Sequence, residues 1–80
     1  MEYKDKIVEQ LVYHIKEYDK AILNGSYKLV HYSLKNIVKL AEDLYELYPA
    51  HRVVKRISKE AGKLKKTKNT ALLTELIGKL

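Results

Sequence analysis

Three histidines have the widest chemical repertoire in this chain, because imidazole binds metals and transfers protons near neutral pH. They are His14, His31 and His51. Of the three, only His14 has a carboxylate three residues away, that of Glu17. A single such pair falls short of a di-iron site, which needs several inward carboxylates. No second histidine stands at the spacing of a helical metal pair. We therefore expect histidines on amphipathic helices, with no bound metal.

Other common catalytic arrangements are missing as well. The three glycines are scattered, so no glycine-rich loop could hold a phosphate. The serines Ser26, Ser33 and Ser58 lie outside any nucleophile motif. The chain has no cysteine, which excludes disulfides and cysteine-ligated metal centres and favours a cytoplasmic, intracellular protein. The sequence predicts a protein that is not an enzyme and that uses no cofactor.

Positive charge is the remaining chemical feature, and it is concentrated in the stretch HRVVKRISKEAGKLKKTK, residues 51–68. Within residues 50–69, eight basic side chains face a single acid, Glu60, although the net charge of the whole chain is only +6. On a helix, several of these cations recur at steps of three and four residues and form one ridge. The candidate binding residues, for protein or nucleic acid, are Arg52, Lys55, Arg56, Lys59, Lys63 and Lys66.

Two functional hypotheses use this ridge. Like charges at a spacing of four residues destabilise a helix, which favours a ligand, although a solvated lysine face remains an alternative. In the first hypothesis an acidic or amphipathic segment of a partner protein docks on the third helix, with Val53 or Ile57 forming the groove. This chain would then be an adaptor or a small accessory subunit. In the second, the ridge binds nucleic-acid backbone without sequence preference.

The elements that must position these residues are helices, because apolar residues recur every three or four positions. Gly25 is expected to adopt a left-handed cap, and Pro49 is expected to stop the second helix. Asn69 is expected to cap a short last helix, with one long helix over 50–77 as the alternative. The predicted helices span about 4–24, 27–48, 50–66 and 70–79. The predicted core stripes are Ile7, Leu11, Ile15, Tyr18 and Ile22, then Val30, Leu34, Ile37, Ala41, Leu44 and Tyr48, then Val53, Ile57, Ala61 and Leu64.

The short connections predict an all-α fold, an antiparallel three-helix bundle with a short fourth C-terminal helix, in a single domain over residues 1–80. A chain of this size buries only about 60% of its unfolded surface, so we expect residues 70–80 to cap the bundle. Pairing of the same apolar residues with a second copy, giving a homo-oligomer, is the alternative. No apolar run approaches the roughly 20 residues of a membrane span, and residues 1–10 do not resemble a secretory signal.

The stretch from Gly25 to Pro49 combines a glycine turn, a long helix ending in LYELYP and an amphipathic helix beyond it. Over about residues 6–66 this pattern resembles microtubule-interacting and trafficking (MIT) domains, archaeal versions above all. The resemblance implies a non-enzymatic three-helix bundle that binds tail segments of partner proteins in grooves beside its third helix. The chain departs from the family pattern at Val30 and Ile37, where alanine is favoured, and no binding residue is carried over.

Overall fold

Four helices make up the computed structural model, which describes residues 3–80. They are α1 (Tyr3–Asn24), α2 (Tyr27–Leu47), α3 (Arg52–Thr67) and α4 (Ala71–Gly78). No strand occurs in this range, so the predicted all-α bundle with a short fourth helix is confirmed. Each helix end lies within two residues of its predicted position. Across residues 3–80, none of the helices combines the length and the apolar character that a membrane span requires.

The turn between α1 and α2 is a Schellman motif, as the glycine suggested. Gly25 adopts the left-handed conformation with φ of 66°, and glycine does so without steric strain because it has no Cβ. The backbone N–H of Gly25 donates to the carbonyl of Ile22 at 3.2 Å, and that of Ser26 donates to Ala21 at 3.0 Å. These bonds satisfy carbonyls at the end of α1 and turn the chain directly into α2.

A tight turn separates α2 from α3. The backbone N–H of His51 donates to the carbonyl of Tyr48 at 3.1 Å, which places Pro49 at the second position of a β-turn. The proline therefore belongs to the turn, and α3 begins at Arg52 rather than at residue 50. His51 is the N-cap of α3, where its Nδ1 accepts from the backbone N–H of Val54 at 3.5 Å.

The break between α3 and α4 is real, and the alternative of one helix over 50–77 is wrong. Lys68 takes a left-handed conformation with φ of 54° and ends α3, while Gly62 lies inside that helix without interrupting it. The N-cap of α4 is Thr70, not Asn69 as expected, although the side chain of Asn69 accepts from the backbone N–H of Ala71 at 2.9 Å. Thr70 is buried and donates instead to both carboxylate oxygens of Asp19 on α1, at 2.9 and 3.0 Å.

One apolar core is shared by all four helices. Within residues 3–80, α1 and α3 make no close backbone contact with each other, and α4 packs against both. The apolar side of α4 is therefore buried in its own chain, and only Leu72 among its large apolar residues is clearly exposed. The fully buried large side chains are Leu11, Tyr18, Ile37, Leu44, Val54, Ile57, Leu64, Leu73 and Leu76.

The predicted stripes are wrong at one position, Ile22, which is exposed. Ala21, the residue before it, is buried, and its carbonyl accepts a hydrogen bond from the turn. Val53 is half-buried and packs against the core as predicted, and its neighbour Val54, which the stripe omitted, is fully buried.

If α4 completes the core, truncating one of its buried side chains should lower the free energy of unfolding far more than truncating an exposed one. We expect Leu76→Ala to lower the free energy of unfolding by about 2–5 kcal/mol, because it leaves a cavity among residues of several helices. Leu72→Ala, on the same helix but exposed, is the matched control and should change it by less than about 1 kcal/mol. Urea unfolding followed by circular dichroism measures both values. Equal effects would show that α4 does not share the core.

The left-handed Lys68 gives a second stability test. Side chains with a Cβ are strained in this conformation by about 1–2 kcal/mol, so Lys68→Gly should stabilise the protein by about 0.5–1 kcal/mol. Lys68→Ala removes the same charge but keeps the Cβ, and it should leave the melting temperature close to that of the natural protein. A glycine variant no more stable than the alanine variant would contradict the expected strain.

Candidate functional site

The six predicted binding residues lie together on one side of α3 and are all exposed. With about 100° of rotation per residue, they fall within a sector of about 100° that points away from the core, and no other residue of α3 lies in that sector. We call this surface the basic face. Its members are Arg52, Lys55, Arg56, Lys59, Lys63 and Lys66. The burial of Val54, Ile57, Ala61 and Leu64 on the opposite side fixes its outward orientation.

The basic face is about 21 Å long from Arg52 to Lys66, at 1.5 Å of rise per residue. One strand of B-form DNA carries about six phosphates over this length of axis, and because the strand winds around the duplex a straight surface can contact only part of them.

Little negative charge offsets these cations. Within residues 3–80, the single ion pair links Lys63 to Glu60 at 3.7 Å, and the lysine side chain is 63% exposed, so it contributes little to stability. Glu60 lies outside the sector of the basic face and also lines a cleft against α4 together with Glu75. The basic face is thus an almost uncompensated array of positive charge.

The first turns of α3 place cations where the helix dipole disfavours them. No acid occurs in its first turn, which instead holds Arg52 and Lys55, with Arg56 directly after. A helix N-terminus carries partial positive charge, so each exposed cation there costs a few tenths of a kcal/mol, up to about 1 kcal/mol. A bound anion would relieve this repulsion together with that between the cations themselves.

Neither residue expected to form an apolar groove for a protein partner is freely exposed beside the basic face. Ile57 is 1% exposed and belongs to the core, so it cannot contact a ligand. Val53 is half-buried and also packs against the core. Helix α4 packs against α3 as well as against α1. The basic face itself therefore offers charge without an apolar side chain.

The histidines occupy three unrelated places. His14 lies in a cleft of about 200 Å³ between α1 and α2, with edge-to-face contacts to the rings of Tyr13 and Tyr32 at 5.2 and 6.3 Å between centroids. His31 is exposed on α2, and His51 caps α3. Within residues 3–80, no three potential metal ligands from His, Asp and Glu come together.

Exposed tyrosines divide into separate surfaces instead of forming one. Tyr32 lies beside His14, whereas Tyr27 and Tyr45 lie about 140° away around α2, on the side toward α3. Tyr27 shares a cleft with Lys68, far away in the chain. No periodicity in the sequence links these two residues, so only the packing of the helices could reveal that they are neighbours.

Comparisons with protein-family models, curated proteins and solved structures each found no match for this chain. The resemblance to MIT domains accordingly stays an expectation from sequence. The fold and the basic face together define the class, which is a small helical bundle with one strongly cationic side.

Tyr13 and Glu17 line the same cleft as His14, and the effect of Glu17 on Tyr13 can be tested by titration. The negative charge of Glu17 raises the pKa of Tyr13 because it disfavours the phenolate. Any stability from this contact is therefore present below the ordinary phenol pKa and lost as the pH rises through the raised value. Glu17→Gln should lower the pKa of Tyr13, measured by NMR titration of the ring carbons.

Tyr18 serves as the internal control for that titration. Its pKa is raised mainly by burial, with a smaller contribution from Asp19, and so it should not respond to Glu17→Gln. A Tyr13 titration that is the same in both proteins would contradict the contact with Glu17.

Proposed function

We propose that this chain is a non-catalytic binding module whose basic face binds the phosphate backbone of nucleic acid without reading base sequence. One observation carries the proposal: every residue in the outward sector of α3 is a cation, and none is apolar or acidic. Contacts with phosphates position a protein through charge alone, whereas the centre of a protein interface is depleted in charge and enriched in apolar side chains. The composition of the face therefore suits a polyphosphate backbone.

Docking of an acidic or amphipathic protein segment on α3 is less well supported. The apolar half of that interaction was expected from Val53 or Ile57, and Ile57 is buried while Val53 is half-buried against the core. What remains is attraction between the basic face and carboxylates, which lacks the apolar anchors that usually dominate protein affinity. An acidic peptide is accordingly included in the test as a competing outcome.

The proposal is tested by fluorescence anisotropy with three labelled probes: a DNA duplex, a single strand of equal length and an acidic peptide. We expect dissociation constants for nucleic acid of about 10⁻⁴–10⁻⁶ M at physiological salt. For the duplex, the logarithm of affinity should fall against the logarithm of salt concentration with a slope of roughly −4 to −5, corresponding to about five phosphate contacts.

Two variants with equal net charge separate the basic face from positive charge in general. The first changes Arg52, Arg56, Lys59 and Lys63 to glutamine and should make the salt slope shallower by roughly 3–4, with a large loss of affinity. The second changes four exposed lysines of α1 and α2, namely Lys16, Lys20, Lys35 and Lys39, to glutamine and should bind nearly as well as the natural protein. Thermal unfolding confirms that both are folded.

Two results would overturn this proposal. Equal losses in the two variants would mean that net charge, not the basic face, holds the nucleic acid. Binding of the acidic peptide without binding of either nucleic-acid probe would instead assign the face to a protein partner.

A further inference from the structure

A cleft lies where the α1–α2 turn meets the end of α3, at Lys68, the C-cap of that helix. Its volume is about 250 Å³, below the roughly 300–1,000 Å³ of pockets for drug-sized ligands, so it suits a smaller group. Its lining comes from three parts of the chain and includes no acid. The lining residues are Ala21, Ile22, Gly25, Tyr27, Val30 and Lys68.

Tyr27 is the most unusual side chain of this cleft. It is 89% exposed, the highest value among the exposed large hydrophobic residues of the described chain. An aromatic ring left in water at the edge of an apolar cleft is available to stack on another flat ring. Ile22 and Val30 offer apolar surface for the same ring within that cleft.

Lys68 connects the cleft with the basic face. It follows Lys66 by two residues, is exposed, and contributes to the lining together with Tyr27. Its left-handed backbone is a position that glycine fills at least cost, yet the chain carries a lysine there. The track of cations on α3 thus continues through Lys68 to an exposed aromatic ring.

From this continuity we infer that the cleft holds a nucleobase of a single strand whose phosphates lie on the basic face. Proteins that bind single strands without sequence preference combine a cationic track with aromatic rings on which bases stack. Bases inside a duplex are already paired and stacked, so the cleft would act only on unpaired nucleotides. The inference rests on the proposed function and adds its substrate class, which is single-stranded nucleic acid.

The test compares three labelled probes of equal length: a single strand, an abasic single strand and a duplex. The abasic strand keeps the phosphates and lacks the bases. The natural protein should bind the intact strand about five-fold or more tightly than the abasic strand. Tyr27→Leu should abolish that difference and leave binding to the duplex unchanged, whereas Tyr27→Phe, which keeps the ring, should preserve it.

Tyr3→Leu is the matched control, because Tyr3 is also largely exposed but lies at the opposite end of α1. Its affinities for all three probes should equal those of the natural protein. Both exposed positions contribute little to the core, so thermal unfolding should be unchanged.

The outcomes distinguish this inference from the proposed function. Binding of all three probes, with Tyr27→Leu indistinguishable from the natural protein, would overturn the inference that the cleft holds a base. It would leave the proposed role of the basic face unaffected. Equal affinity of the natural protein for the intact and abasic strands would do the same. Failure of every probe to bind would overturn the proposed function, and the cleft with it.

Discussion

The packing of α4 between α1 and α3 is the contact on which the rest of the bundle depends. Helices α1 and α3 do not contact each other closely within the described chain, so their apolar sides are covered jointly by α2 and α4. Leu73, Leu76 and Ile77 supply the apolar part of this contact, and the bond from Thr70 to Asp19 fixes where α4 begins. A small domain has little core to spare, so we expect the eight residues of α4 to have a large effect on stability.

The orientation of the basic face follows from that core. Because Val54, Ile57 and Leu64 are anchored inside, the opposite side of α3 must point outward, and every residue in the sector of the basic face is a cation. Their mutual repulsion opposes helix formation, and burial of the apolar side offsets it. The two sides of one helix therefore have separate tasks, one holding the bundle together and the other presenting charge. A ligand held in this way would be sensitive to ionic strength, since exposed charges are screened by salt.

Several elements could be predicted from local sequence because their causes are local. Periodicity of apolar residues located all four helices, and the glycine at position 25 located the first turn, since a left-handed residue is needed there. The basic face was also predictable, because the positions of its members on a helix depend only on spacing. The errors lie where packing beyond a single helix decides burial: Ile22 is exposed while Ala21 is buried, and Ile57, one of the two residues expected to form a groove, is part of the core.

The sequence by itself determined the class of fold, the limits of the helices and the clustering of positive charge on α3, because each depends on residues a few positions apart. Tertiary structure alone decided that α4 packs against both α1 and α3 and that Ile57 lies inside the core. It also decided that Tyr27 and Lys68 share a cleft. These two residues belong to different helical segments, and no spacing rule spans such a separation. Their proximity results from the antiparallel packing of α2 and α3, which brings the start of one helix beside the end of the other.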